Sequence, residues 1–347
     1  MPVYLNGLST QVPKHELPQT LVEDNARRIL GTRYVQFERM SASFQTSGVE
    51  KRYSFAPIDW FHEPQDWQAR NSLYLQGATE IFIKSAHEAL KSAELKASEI
   101  DTIVTVSSTG IATPTIEALA FNEMGFRSDV RRVPIFGLGC AGGVSGLGVA
   151  QTLASADPGS NVLLVVIEAC SLSFRSDRLQ KADIIATILF GDGAAAAVLS
   201  TNQNSNIELH RGSEHLWPDT LNIMGWEVDN TGLGVVFDRS IPAFTEAHIA
   251  EVVRDACNQS KLDQNNIARY VFHPGGAKVV EALESALELQ SGALDLERDV
   301  LKNYGNMSAP TALFVLNEVI KQGKKGEMMM GALGPGFTAS FMPIEIG

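Results

Sequence analysis

One pattern constrains this chain more than any other, because the chain uses it twice: an apolar strand, a glycine turn and a helix. RRVPIFGLG (131–139) followed by AGGVSGLGVAQTLAS (141–155) reads as strand, loop and helix, with Cys140 opening the helix. ARYVFHPGGAKVVEALESAL (268–287) runs in the same order, and NYGNMSAPTALFVLNEVI (303–320) is a glycine loop leading into a helix that Asn306 opens. ATILFGDGAAAAVLS (186–200), read as a strand or strand pair around a G-x-G turn, is echoed by EMMMGALGPGFTASFMPIEI (327–346). Such self-similarity indicates two duplicated α/β halves. The expected halves are residues 1–200 and 201–347, meeting at the polar loop TNQNSN. Strands alternating with helices predict a largely parallel sheet in each half. The remaining elements fit that grammar. Residues 68–97 have helical apolar spacing, IDTIVTVSS (100–108) and NVLLVVIEAC (161–170) read as strands, and PTIEALAFNEMG (114–125) as a helix ending at glycine.

Composition narrows the function classes. A net charge of −12 leaves no broad basic surface for nucleic acid. The longest apolar runs, such as VLLVVI (162–167), fall far short of a membrane span. The start MPVYLNGLST has no basic stretch ahead of an apolar one, so no secretory signal is expected. Three scattered cysteines do not make a disulfide framework, and a cytoplasmic location is expected. The seven histidines lack H-x-H or H-E-x-x-H spacing, so no metal site is expected.

The loop GLGCAGG (137–143) admits two chemistries. Gly137, Gly139 and Gly142 fit the dinucleotide fingerprint G-x-G-x-x-G, but the nearest following acid, Glu168, comes late, and the loop lies deep in the chain. Alternatively, Cys140 sits at a helix N-terminus, where the dipole and free N–H groups favour a thiolate. His273, at a strand end before a Pro-Gly turn, and Asn306, at a glycine turn, are brought beside Cys140 by the duplication. His273 would pair with the thiolate, and His273 and Asn306 would both donate to one oxyanion. Taken singly, each of the three has an ordinary structural reading: a buried cysteine, a structural histidine, an N-cap.

Together, GLGCAGG, LFGDGAAAAVLS, FHPGGAKVVEALE, YGNMSAPTALFVL and GALGPGFTASF resemble the type III polyketide synthases, the chalcone-synthase-like branch of the thiolase superfamily. The resemblance runs from about residue 30 to the C-terminus. It implies the thiolase fold, with two duplicated α/β halves in a layered αβαβα arrangement. It implies a homodimeric acyltransferase that extends an acyl-CoA primer with malonyl-CoA units and cyclises the chain, with no cofactor beyond these coenzyme A thioesters. Cys140 would carry the acyl chain, and His273 and Asn306 would promote decarboxylation. Phe190 and Phe237 match gatekeeper phenylalanines, and Gly334, Pro335 and Gly336 match the cavity-shaping G-P-G loop. Arg39 matches a coenzyme A contact, whereas Gln36 and Ser43 stand where plant enzymes have lysines, so Lys51 and Arg52 are candidate phosphate contacts. Thr113 replaces a plant methionine that enters the partner's cavity. Cys170 and Ser173 fall on cavity-lining positions, and their small size suits a long primer. TGIATP and FGLGCAGG look like bacterial members making alkylresorcinols or alkylpyrones. The related ketoacyl synthases III, which condense once, usually carry H-Q-A-N where this chain has HPGG.

Overall fold

A computed structural model describes residues 1–31, 34, 37–178 and 180–347. The first half runs β1 (Val3–Gln11), β2 (His15–Pro18), α1 (Gln19–Leu30), α2 (Phe37–Thr46), β3 (Lys51–Ser54) and α3 (Trp67–Ser92). It continues through β4 (Thr102–Val106), α4 (Ile116–Leu119), α5 (Phe121–Met124), β5 (Arg131–Ile135) and α6 (Gly142–Ala156). It closes with β6 (Asn161–Ala169), α7 (Lys181–Leu189) and β7 (Asp192–Ser200). The second half holds β8 (Ile207–Leu209), β9 (Ser213–Leu216), β10 (Met224–Asp229), β11 (Gly232–Phe237), α8 (Ile241–Ser260) and β12 (Arg269–Phe272). Then come α9 (Ala277–Ala286), α10 (Asp295–Tyr304), α11 (Thr311–Lys321), β13 (Gly326–Gly334) and β14 (Thr338–Ile346).

Among the described residues, ten strands form one sheet in the order β12-β13-β14-β8-β1-β7-β6-β4-β5, with β9 also on β14. The short β8 joins the halves: Leu209 faces Val3 of β1 on one edge and Ile344 of β14 on the other. The pairing repeats, since β6 lies antiparallel to β7 as β13 does to β14, and β4 lies parallel to β6 as β12 does to β13.

The central strands β4, β6, β7, β13 and β14 read as near-continuous apolar runs and are buried on both faces. On β6, Val162, Leu164 and Val166 face a core shared with α6 and α11, while Leu163, Val165 and Ile167 face α3. On the other side, Tyr270, Phe272, Met329 and Phe341 pack against α8 and α9. The layers are therefore α3, sheet, α6 with α11, sheet, and α8 with α9, the layered αβαβα arrangement of the thiolase fold.

Three expectations need correction. Among the described strands, parallel pairing is confined to β4–β5, β4–β6 and β12–β13. The turn Pro335–Phe337 between β13 and β14 is far too short for the crossover that a parallel pair needs. The stretch read as a strand from residue 186 is the end of helix α7; Ile184 and Ile188, four apart, are both buried, and a window opening at Ala186 misses that spacing. The helix read over 114–125 is two short helices, α4 and α5, closed by Gly125 at φ +71°. The long helix agrees well, with Asp66 capping α3 by accepting from the Ala69 N–H at 2.7 Å. No helix among the described residues is long and apolar enough to cross a membrane.

Candidate active site

Cys140 lies in a single 3₁₀ turn, Gly139–Ala141, that runs straight into α6. The chain reaches that turn through Gly137 and Gly139, at φ +92° and +47°, conformations that glycine holds without strain. A Cβ on Gly139 would lie 2.7 Å from the Pro335 ring, and one on Gly334 would lie 2.7 Å from the Leu138 carbonyl oxygen. The Gly334–Gly336 turn thus presses against the back of the cysteine loop, and both contacts require glycine.

His273 follows β12 directly, its backbone N–H donating to the Gly331 carbonyl of β13 at 2.9 Å. Asn306 does not open a helix as expected, since α11 begins five residues later at Thr311. Instead it forms a bridge with Phe190: its N–H donates to the Leu189 carbonyl at 2.8 Å, and its own carbonyl accepts from the Gly191 N–H at 2.9 Å. Its side chain is oriented from both ends, with Oδ1 accepting from the Ser308 N–H at 2.8 Å and Nδ2 donating to the Gly275 carbonyl at 3.0 Å. One Nδ2 proton remains for a ligand.

Cys140, His273 and Asn306 line one cavity, with Phe237, Met224 and Gly275 among its other walls. Among the described residues neither ring nitrogen of His273 has a hydrogen-bond partner, although the residue is buried. A buried polar group left unpaired is available to a substrate. Burial pushes the Cys140 thiol up to about 11, with the Ser308 hydroxyl partly opposing the rise. Burial also pushes the His273 imidazole down to about 4. Both shifts favour the neutral forms, the opposite direction to the depressed thiol expected from the helix-start setting. A helix terminus favours the thiolate, but removal of water from the sulfur outweighs it here.

A second cavity is lined by Phe190, Cys170, Ser173, Leu17, Val22 and Phe174 among others, and the Phe190 backbone bridges to Asn306 of the first. Trp226 of the β10–β11 hairpin meets the Phe190 ring edge-on, at 6.4 Å between centroids. The hairpin serves both cavities, with Met224 and Phe237 on the first and Val235 on the second. Sequence reasoning singled out Phe237 but not the hairpin, whose strands show no clean alternation.

Other predicted residues lie elsewhere. Thr113 and Arg39 are exposed and line neither cavity, and Ser43 is exposed on α2. Gln36 lies outside the described residues. Arg52 is corrected as a phosphate contact: it is buried, and its Nη1 donates to the carbonyls of Thr187 and Phe190 at 2.8 and 2.9 Å. Its guanidinium caps the C-terminal end of α7 and braces Phe190. Glu168, the late acid of the dinucleotide fingerprint, is buried; its Oε2 accepts from the Ser108 N–H and the Thr109 hydroxyl, and burial raises its carboxyl to about 8.

A cysteine, a histidine and an asparagine lining one cavity between the two halves of a thiolase fold define the class of condensing acyltransferases. Residues 7–203 match the family described as chalcone and stilbene synthases, N-terminal domain, and residues 208–344 match its C-terminal domain. A putative chalcone synthase of Bacillus subtilis is 32% identical, covering 98% of this chain and 97% of its own. A 1,3,6,8-tetrahydroxynaphthalene synthase of Streptomyces peucetius is 35% identical over 86% of this chain and 81% of its own. The crystal structure of 1,3,6,8-tetrahydroxynaphthalene synthase from Streptomyces coelicolor, a bacterial type III polyketide synthase, superposes with a TM-score of 0.94 at 30% identity, covering 99% of both chains. The chain belongs to the chalcone and stilbene synthase family and is a type III polyketide synthase; a single-condensation ketoacyl synthase III is not favoured.

Proposed function

We propose that Cys140 is the acyl-carrying nucleophile and that His273 and Asn306 bind the malonyl thioester carbonyl. The observation that carries this reading is the shared cavity, in which the His273 nitrogens and one Nδ2 proton of Asn306 are unspent. The Cys140 sulfur, its proton passed to His273, attacks the carbonyl of an acyl-CoA; the C–S bond to coenzyme A breaks, and coenzyme A leaves as the thiol after taking that proton. Malonyl-CoA then loses carbon dioxide, and the electron pair of the broken C–C bond becomes an enolate. One N–H of neutral His273 and one of Asn306 donate to its oxygen. The enolate carbon attacks the Cys140 thioester, the sulfur departs as a thiolate that takes up a proton from solvent, and the chain, now on coenzyme A, can reload. Repetition and cyclisation give an aromatic or pyrone product.

The apolar second cavity supports a medium or long fatty acyl primer, with Cys170 and Ser173 leaving room and Phe190 at the threshold. A malonyl starter giving a naphthalene-type product is the second reading, favoured by the likeness to tetrahydroxynaphthalene synthases. Arg39, exposed on α2, is the proposed coenzyme A contact. A homodimer is proposed through β5. Among the described residues that strand pairs only with β4, and Ile111 and Phe136 nearby are 52% and 61% exposed. Three free cysteines suit a cytoplasmic enzyme. Intact-mass analysis after incubation with hexanoyl-CoA tests the core of the reading: one hexanoyl group should appear on Cys140, then several malonyl-derived units in the product. No adduct from any acyl-CoA or malonyl-CoA would remove the nucleophile assignment.

A further inference from the structure

We propose that Ser108 is a positioning residue that holds the Cys140 loop from the side opposite the Gly334–Gly336 turn. The proposal rests on Cys140 being the nucleophile. Ser108 Oγ accepts from the backbone N–H of Gly137 at 3.0 Å and from that of Gly139 at 3.3 Å. Among the described residues it is the one side chain hydrogen-bonded to the backbone of residues 137–141. Both amides belong to residues at positive φ, so the acceptor sits where the loop departs most from an ordinary turn. A hydroxyl oxygen has two acceptor sites, and here both serve the loop.

Ser108 is itself firmly held. It is 2% exposed and lies two residues beyond β4. Its N–H donates to Glu168 Oε2 at 3.0 Å, and the preceding residue, Ser107, donates from its N–H to the Ile135 carbonyl at 3.2 Å and accepts from the Tyr74 hydroxyl at 2.8 Å. The hydroxyl is thereby fixed to β5, β6 and α3, three rigid elements. On the far side the loop meets Pro335 and Gly334 at distances that admit no extra atom. The loop is thus confined sterically on one face and by two hydrogen bonds on the other. Without the oxygen, two partly buried amides lose their acceptor, the glycines are free to turn, and the Cys140 sulfur leaves its line of attack.

The test separates the sulfur from the enolate site. Wild type, Ser108→Ala and Ser108→Thr are compared for Cys140 acylation by hexanoyl-CoA, Cys140 alkylation by iodoacetamide, and decarboxylation of malonyl-CoA. Ser108→Ala should acylate at least about ten-fold more slowly, the scale expected when a reacting atom is misplaced by a fraction of an ångström. Its alkylation rate should change in step. Ser108→Thr keeps the oxygen and should stay within about three-fold of wild type, and decarboxylation, which needs His273 and Asn306 rather than sulfur, should fall by less than about two-fold in both. Wild-type acylation in Ser108→Ala, a Thr variant as slow as Ala, or decarboxylation lost in parallel would each overturn the proposal. If Ser108→Ala does not fold, Gly137→Ala strains the same loop, with nothing within 4 Å of the added Cβ, and should give the same split. If wild type takes up an acyl group from neither hexanoyl-CoA nor malonyl-CoA, the nucleophile reading fails by itself and the alkylation rates still decide the role of Ser108; if only malonyl-CoA loads, the same comparison is made with it.

Discussion

The two cavities, one lined by Asn306 and the other by Phe190, whose backbones bridge, are walled by similar apolar side chains but hold different polar groups. In the first, both His273 nitrogens and one Asn306 proton are unspent. In the second, Arg52 is committed to the carbonyls of Thr187 and Phe190, and Ser173 donates to the Cys170 carbonyl at 2.7 Å. Among the described residues, Asn25 Oδ1 and Arg52 Nε have no hydrogen-bond partner there, and Asp183 Oδ1 faces Arg178 Nε at 3.6 Å. Open buried polar atoms occur in both cavities, so what sets the first apart is that its open atoms share the cavity with Cys140, on the turn that leads into α6.

The largest test of that contrast is Cys140→Ala. Product formation should fall below detection while malonyl-CoA decarboxylation persists, measured as carbon dioxide release. Next is Asn306→Ala, which should cost about 10²–10³ in decarboxylation and condensation, as loss of one oxyanion donor does, while Cys140 still takes up the primer. Surviving decarboxylation at the wild-type rate would reduce Asn306 to a brace for the Phe190 backbone.

The second cavity is tested by filling it. Cys170→Trp or Ser173→Trp should shorten the preferred primer. Each buried methylene contributes about 0.8 kcal/mol, so kcat/KM of the wild type should rise about four-fold per methylene until the cavity ends. A flat profile, or product only from malonyl-CoA, would assign the second cavity another role and favour the naphthalene-type reading. The last test concerns pH. With the thiol raised to about 11, the thiolate fraction in the empty site grows throughout pH 7 to 9. The iodoacetamide rate on Cys140 should climb about ten-fold per unit there, with its midpoint above the usual 8.5. His273, lowered to about 4, stays neutral across that range and should add no step near 6.5. A midpoint below 8.5 that rises in His273→Ala would mean that an ion pair outweighs burial.

The sequence by itself determined the residues and their local settings. Cys140 among glycines, His273 before a Pro-Gly turn and Asn306 after Gly305 were legible because glycine and proline restrict the backbone within a few residues. The duplicated grammar was legible for the same reason, and so was α3, whose apolar spacing persists over many turns. Tertiary structure alone decided the rest. Whether β6 and β7 run antiparallel, whether Arg52 faces solvent or a helix end, and which cavity Cys170 lines all depend on partners more than a hundred residues away, or on the path of α7. The thiol is the clearest case. Its helix-start setting is local and favours the anion, but its exclusion from water is imposed by Phe237, Met224 and Phe341 from the other half of the chain. Burial is a property of the whole fold, and the loss of hydration it imposes on the sulfur outweighs the pull of the helix dipole.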